Sequence, residues 1–417
     1  MNSLSRLAGV LLLPAFLALS LNAADWPSWH GPARDGHAPA GSPVPVTLPK
    51  ELNPLWKIPV GGGHGGPVVS GGKLAYFDED GRQEVAHCLD ARTGRELWKT
   101  AVADRFSDEW GPGPRSTPVM DGSRVYVQSA SGEFRCLNLA DGKILWGVSF
   151  EKDYGVKFGD PKATAARRGN NGTCLVDGAD VIVPVGSTDG ASLVCFDKAT
   201  GSVKWKSGGE EAAYSSPVAA TLGGVKQIVY LSADSLAGFD RATGKILWHV
   251  PLVTNAKRHA CTPVVVGDTV SVNSHTFGTL CFKIVKDGSG LKAVPAWANK
   301  ELKTNLATLA YAEGNFYNQG ANKDYVCLDA QTGETKWTQA GFGGMKQDYA
   351  SSLVLGKNIL VLTYDGQLVL LAGNPAKYTE LGRVQVCGTT WAYPAYADGR
   401  LYVRDTKSLT CVDLLAK

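Results

Sequence analysis

Charge is scarce in this chain: Asp, Glu, Lys and Arg supply 19% of its 417 residues, against about 25% in an average soluble protein. The 42 basic and 39 acidic residues leave +3 and form no Lys/Arg run, so the field that holds a phosphate backbone is missing and nucleic acid is not an expected partner. Long apolar runs are missing as well. The most apolar stretch, Leu7 to Leu19, is too short for the ~20 residues that cross a bilayer. It follows a polar start with Arg6 and precedes small residues at Ala23 and Ala24, the arrangement of a secretory signal peptide over residues 1–24. No transmembrane segment is expected. The mature protein is expected to begin between Asn22 and Asp25 and to be periplasmic or secreted, without a lipid anchor, and monomeric. Active-site spacings are missing too: no His-x-x-x-His, no Gly-x-Ser-x-Gly elbow and no nucleotide-binding glycine fingerprint placed after a strand and before a helix occur. Zinc, hydrolase and nucleotide chemistry are therefore not expected, and no metal site is assigned.

Glycine is what the chain has in excess, 49 residues or about 12% against ~7% in ordinary usage, and the glycines recur in a frame. An acidic or turn residue, then Thr-Gly or Asp-Gly, then Trp appears at Asp90, Thr93-Gly94 and Trp98; at Asn138, Asp141-Gly142 and Trp146; at Asp197, Thr200-Gly201 and Trp205; at Asp240, Thr243-Gly244 and Trp248; and at Asp329, Thr332-Gly333 and Trp337. A copy with an insertion ends at Trp297, another loses its Trp near Gly382, and a truncated one stops at Asp413. That makes eight units of roughly 40 to 60 residues. Upstream of each lies a pair of short alternating runs across a glycine turn, from Pro67–Tyr76 through Pro394–Val403, the pattern of a β-hairpin. Four strands per unit, eight times, predict an all-β, eight-bladed β-propeller of four-stranded antiparallel blades over residues 51–417. A Pro-rich arm, residues 25–50, precedes it.

The last unit lacks its fourth strand, and Leu55-Trp56-Lys57-Ile58-Pro59-Val60 matches Leu97-Trp98-Lys99-Thr100-Ala101-Val102. This N-terminal strand is predicted to close the ring, with Trp56 in the eighth blade, so that no strand edge is left open. Nine Cys are an odd number for a disulfide framework, and those at 88, 136, 195, 281, 327 and 411 share one repeat position. They read as small apolar fillers of separate blades. Cys174, Cys261 and Cys387 fall outside the pattern, and a bridge within a blade, such as Cys174 to Cys195, stays open.

The unit Asp-x-x-Thr-Gly-x-x-x-Trp, clearest at Leu89–Trp98, Phe196–Trp205, Phe239–Trp248 and Leu328–Trp337, resembles the tryptophan-docking repeat of the quinoprotein dehydrogenase superfamily. The segments Trp26–Gly36, Gly113–Pro118 and Leu401–Asp405 are similar to the smaller PQQ-like branch, whose members are named after a propeller that assists outer-membrane protein assembly. The resemblance implies an eight-bladed ring in which Trp56, Trp98, Trp146, Trp205, Trp248, Trp297 and Trp337 each dock on the glycine turn of a neighbouring blade. It leaves two functions open. One is a non-catalytic scaffold, without a cofactor, that binds a protein or peptide of the cell envelope, or a small ligand, at the channel mouth. The other is an oxidoreductase similar to the quinoprotein alcohol dehydrogenases, using pyrroloquinoline quinone (PQQ) with calcium. The second lacks its recognisable parts, since no two Cys are adjacent and Cys-x-x-Cys-His is absent. The scaffold is the expected function.

In a propeller the loops leading into the innermost strands share one face around the channel. His64, Arg115, Tyr214, His259 and Trp391 lie there and are the candidate ligand-facing set, Arg115 to fork onto a carboxylate or carbonyl and Trp391 with Tyr214 to supply flat apolar surface. A wet, merely polar mouth is the competing reading. His64 stands in Gly61–Gly66, which is either a backbone that approaches a ligand closely or a flexible turn. A second set, Asp78, Asp189, Asp234, His275, Gln319, Asp365 and Asp405, is expected on the same face. Glu151–Asn171, with Lys152, Lys157, Lys162, Arg167 and Arg168, reads as a basic flap or a solvated loop.

Overall fold

The computed structural model describes residues 25–159, 165–342 and 349–416; the proposed signal peptide, 1–24, and Lys162 lie outside them. Eight four-stranded antiparallel sheets follow one another along the chain. The first blade is Val68–Ser70, Lys73–Asp80, Gln83–Asp90 and Glu96–Asp104, from channel to rim. Blade 8 consists of Ala395–Ala397, Arg400–Arg404 and Ser408–Asp413, and its outermost strand is Pro54–Pro59. The N-terminal strand thus closes the ring, with Trp56 opposite Cys411. A small hairpin, Ser107–Asp108 with Gly111–Pro112, rises between blades 1 and 2.

The repeat has a local physical cause. Asp90 Oδ1 accepts from the backbone N–H of Thr93 at 2.8 Å and of Arg92 at 3.1 Å, and from the Thr93 hydroxyl at 2.8 Å, which folds the turn and leaves Gly94 at φ 72°. A Cβ there would lie 2.8 Å from the Trp56 ring. Glycine thus supplies both the left-handed backbone and the space into which the preceding blade's Trp docks. Trp56 donates its indole N–H to Ala91 O (3.1 Å), Trp98 to Leu139 O (3.0 Å), Trp146 to Lys198 O (3.2 Å) and Trp297 to Ala330 O (3.1 Å). Trp205 docks on Gly244 without such a bond, and Trp337 donates to Asn374 O at 2.9 Å in a turn that lacks Thr-Gly.

Trp248 departs from the scheme. The turn it would meet in blade 5 is replaced by a long hairpin, Gly278–Asp287 with Gly290–Asn299, so Trp248 packs with Phe282 and Ile284 and donates to Gln227 Oε1 in its own blade at 2.6 Å. In the other blades Cys faces Trp across the two outer strands, as Cys88 faces Trp98; in blade 7 the pair is Leu370 and Gly382. Leu48 of the arm, 7% exposed, fills the missing indole's place against Gly382. All nine Cys are buried and free, so the Cys174–Cys195 bridge does not form.

The arm is part of the ring. Asp25 bonds to Ser70 and Gly71, on the face opposite the mouth. Trp26 then exchanges both backbone hydrogen bonds with Val69 (2.8 and 2.9 Å), and Met120 N donates to Pro27 O at 2.8 Å. Arg34 donates to the carbonyls of Cys174 (2.6 Å) and Thr173 (3.3 Å), and Ala38 and Gly36 pair with Val354. These partners sit on or lead into the innermost strands of blades 1, 2, 3 and 7, whose free edges face the channel. The segment is therefore a plug that satisfies edge groups which a bare channel would leave to water.

Candidate functional site

Each blade delivers its innermost strand through a loop on one face, and the eight loops meet in a cup of about 220 Å³. Blade by blade, from the first, the lining includes His64, Arg115, Asn171, Tyr214, Arg258, Asn305, Tyr349 and Trp391, and Trp29 of the plug lies among them. Beneath the rim runs a relay of hydroxyls. Gly66 N donates to Thr117 Oγ1, Thr117 N to Thr173 Oγ1, Thr173 N to Ser216 Oγ, Ser216 N to Thr262 Oγ1, and Thr262 N to Thr308 Oγ1, each at 3.0–3.1 Å. Thr308 N donates to the Tyr393 hydroxyl at 3.0 Å. The relay stitches neighbouring blades with side chains because adjacent inner strands do not pair. Its mark in the sequence is a Ser or Thr just before the inner strand at 117, 173, 216, 262 and 308, a signal without the period of the Trp frame.

Four of the five candidate residues line this cup, and His259 does not. Its ring is 1% exposed, Nε2 donates to Leu252 O at 3.0 Å, and burial lowers its pKa; its backbone carbonyl accepts from Tyr214 N instead. Arg115 is at the cup, but its guanidinium is engaged. It donates to Asp108 Oδ1 at 2.6 Å and Gly111 O at 3.1 Å, both side chains being over nine-tenths buried. The expected fork onto a ligand is thus turned inward, to hold the Ser107–Pro112 hairpin. His64 donates from Nε2 to Trp110 O at 3.2 Å, and its ring lies 4.7 Å from Trp391. Burial first, then the Arg115 charge, lowers its pKa to about 4, so it is neutral at pH 7. Burial pushes the Tyr214 hydroxyl up to about 12, and that hydroxyl donates to Ala165 O at 3.2 Å.

The glycines around His64 have a packing reason. A Cβ at Gly61, Gly65 or Gly66 would come within 2.3 Å of a carbonyl oxygen of a neighbouring strand or loop. Arg404, 1% exposed, threads under the run and donates to the carbonyls of Gly61, Gly62, Gly65 and Phe77 at 2.7–3.2 Å. None of the second set of polar residues lines the cup; Asp78 pairs with His87, Asp234 with Lys257, and Asp405 caps the Lys407–Ser408 turn. Arg168 does reach the cup, paired with Glu109.

What the cup can do is bind. Arg115, Arg168 and Arg258 against Asp108 make its lining cationic, and Trp29, Trp110, Trp391, Tyr214, Tyr349 and Tyr393 wall it with rings. Four buried polar atoms of the lining have no partner among the described residues: Asp108 Oδ2, Asn171 Oδ1, Arg258 Nε and Trp391 Nε1. Calcium needs roughly six to eight oxygen ligands, carboxylates prominent among them. The described lining has one carboxylate, already paired with Arg115, and no group of three or more His, Cys, Asp or Glu suited to a metal occurs among the described residues. The residues present do not fit a calcium-held quinone.

The sequence profile of a family described as "Outer membrane protein assembly factor BamB" matches residues 50–152 and 81–339. Outer membrane protein assembly factor BamB of Burkholderia pseudomallei (strain K96243) is 23% identical over 363 residues, 78% of this chain and 90% of that protein. Polyvinylalcohol dehydrogenase of Sphingopyxis sp. (strain 113P3) is 30% identical over 166 residues, 33% of this chain; the match spans only 25% of that enzyme. Among solved structures, BamB from Moraxella catarrhalis superposes with a TM-score of 0.60 at 16% identity, over 88% of this chain and 98% of that one. Quinohemoprotein alcohol dehydrogenase ADHIIG from Pseudomonas putida HK5 does so with 0.61 at 13%, over 94% and 81%. At these identities the structural likenesses are of fold alone.

Proposed function

Because the chain belongs to the family of the outer membrane protein assembly factor BamB, we propose that it is a non-catalytic binding scaffold of the cell envelope, serving outer-membrane protein assembly. It is exported by the segment 1–24 and works in the periplasm or outside the cell, with its mouth as the capture surface. No helix among the described residues is long and apolar enough to cross a membrane. The observation that carries the reading is the cup itself. All eight blades converge on it, the arm plugs the channel on the far side, and its walls combine aromatic rings with the guanidinium groups of Arg115, Arg168 and Arg258. A concave site walled by rings, with a few polar groups converging on it, is the usual form of a binding site.

The test is complementation. A host strain lacking the protein should show reduced folded outer-membrane protein, restored by the wild-type chain and not by one carrying Tyr214→Ala and Trp391→Ala together, provided both accumulate equally. Full rescue by the double variant would remove the mouth from the function. Stoichiometric uptake of PQQ with calcium by the purified protein, with dye-linked alcohol oxidation, would replace the scaffold by an oxidoreductase, the activity class to which the name of the Sphingopyxis relative points.

A further inference from the structure

The mouth carries more positive charge than its own acids answer. The Tyr214 hydroxyl, in the cup wall, feels the guanidinium charges of Arg168, Arg258, Arg167 and Arg115. Asp108 takes Arg115 and Glu109 takes Arg168, so two of four cations are answered, and Arg167 and Arg258 are in no ion pair among the described residues. Arg258 is half-buried, and burial and then the Arg168 charge lower its pKa, the mark of a cation held beside a like charge. Its Nε is sealed in the wall, but its two terminal nitrogens are accessible and hydrogen-bond to nothing among the described residues. Nη1 of Arg168 is open in the same way, since Glu109 takes only Nε and Nη2. Two neighbouring guanidinium groups with free N–H donors, in a site with excess positive charge, suit one compact dianion.

Shape narrows the class. The cup holds about 220 Å³, and Trp29 of the plug lies in its lining, so the end of a molecule enters and a chain cannot pass through. A phosphate monoester is such an end and carries about 1.5–2 negative charges at pH 7, whereas a diester carries a single charge and continues on both sides. On the same face two large apolar side chains are exposed, Trp110 at 42% and Val253 at 70%. Trp110 stands on the hairpin that Arg115 holds, and Val253 lies in the loop that also carries Arg258, between Ile246–Pro251 and Val264–Val266. A cationic cup with apolar side chains at its rim is built to hold an anionic head group while the rim enters a lipid surface. We propose that the mouth takes the terminal phosphate monoester of a lipid head group, between Arg258 and Arg168. The proposal rests on the mouth being the binding site argued above, and adds the chemistry of what enters it.

Two arms test it on the full mature chain at fixed ionic strength. Phosphatidylcholine vesicles containing phosphatidic acid should bind the protein at least about tenfold more tightly than vesicles given the same surface charge by phosphatidylglycerol, a diester. In calorimetric titration, glycerol 3-phosphate should bind more tightly than glycerol or dimethyl phosphate by a similar factor. Arg258→Gln should erase both preferences while the melting curve stays as in the wild type. Should that variant fold poorly, acidification of the wild type carries the test: from about pH 7.5 to about pH 5, glycerol 3-phosphate loses most of its second charge and should lose about tenfold in affinity. His64, with its pKa near 4, stays largely neutral over that range. Equal binding of monoester and diester, no binding in either arm, or tighter binding of a phosphoserine peptide or of a peptide carboxy-terminus would overturn the inference. Uptake of glycerol 3-phosphate without retention on vesicles would overturn the lipid and leave a free phosphate monoester as the ligand. If both arms fail while the complementation result holds, the phosphate is wrong and the scaffold stands; if complementation fails too, the mouth is not a binding site.

Discussion

Trp98 and Gly142 offer a test in which the magnitude can be worked from the contact itself. Trp98 is 9% exposed, its indole N–H bonds to Leu139 O at 3.0 Å, and a Cβ at Gly142 would come 2.6 Å from its ring. Trp98→Ala removes a large buried ring and leaves a cavity, a loss of about 3–5 kcal/mol. Gly142→Ala carries two penalties. The backbone at φ 74° costs an alanine about 1–2 kcal/mol, and the ring must shift to admit the methyl group, another 1–3 kcal/mol or so. In the double variant the ring is gone, and the backbone penalty remains together with the contact of the new Cβ with Thr100 Oγ1, 2.6 Å away. The two losses should therefore fall short of additivity by about 1–3 kcal/mol, whereas sites without shared contacts add to within about 0.5. Urea unfolding followed by far-ultraviolet circular dichroism gives all four stabilities. Strict additivity would show that the indole does not dock on the turn.

Arg115→Ala, which strands the buried Asp108 carboxylate, should cost about 3–5 kcal/mol, while Trp391→Ala should stay within about 1; a melt of each decides, and equal small losses would put Arg115 back in the open mouth. Burial holds the Glu84 carboxyl at about 7, above its unfolded value near 4.3, so its contribution is complete below about pH 4.3 and is lost as the pH rises through 7. Glu84→Gln should then gain on the wild type by up to about 3 kcal/mol between pH 5 and pH 8, and parallel pH–stability curves would contradict this. Leu48→Ala should cost about 2–5 kcal/mol by emptying the place of blade 7's missing Trp, read by the same unfolding curves; an unchanged midpoint would mean that the arm merely lies on the surface.

The ring was legible in the sequence because five of the eight blades repeat one local solution: an Asp or Asn that caps a turn, a glycine with positive φ, and a Trp at fixed distance. Ring closure was legible because Leu55–Val60 copies Leu97–Val102 outside its expected place. Trp248 was misjudged because docking depends on the next blade's turn, and nothing in the Trp248 repeat reveals the hairpin that replaces it. Four mouth residues could be found from topology alone, since position before an inner strand sets the face. Which way a side chain turns once there depends on neighbours distant in sequence. Asp108 claims Arg115, and Leu252 claims the imidazole of His259. The plug was least legible, because Trp26–Ala38 has no period, and its strand-like pairing exists only with edges contributed by four different blades.

The central claim is that the plugged mouth captures a molecule of the envelope, and a photo-crosslinker in place of Leu306, an apolar member of the lining, tests it most directly. Irradiation in the native host should give discrete adducts with envelope components, and the same group at exposed Leu97 on the outer rim should not give them. Identical adducts from both positions, or none from the mouth, would contradict the account.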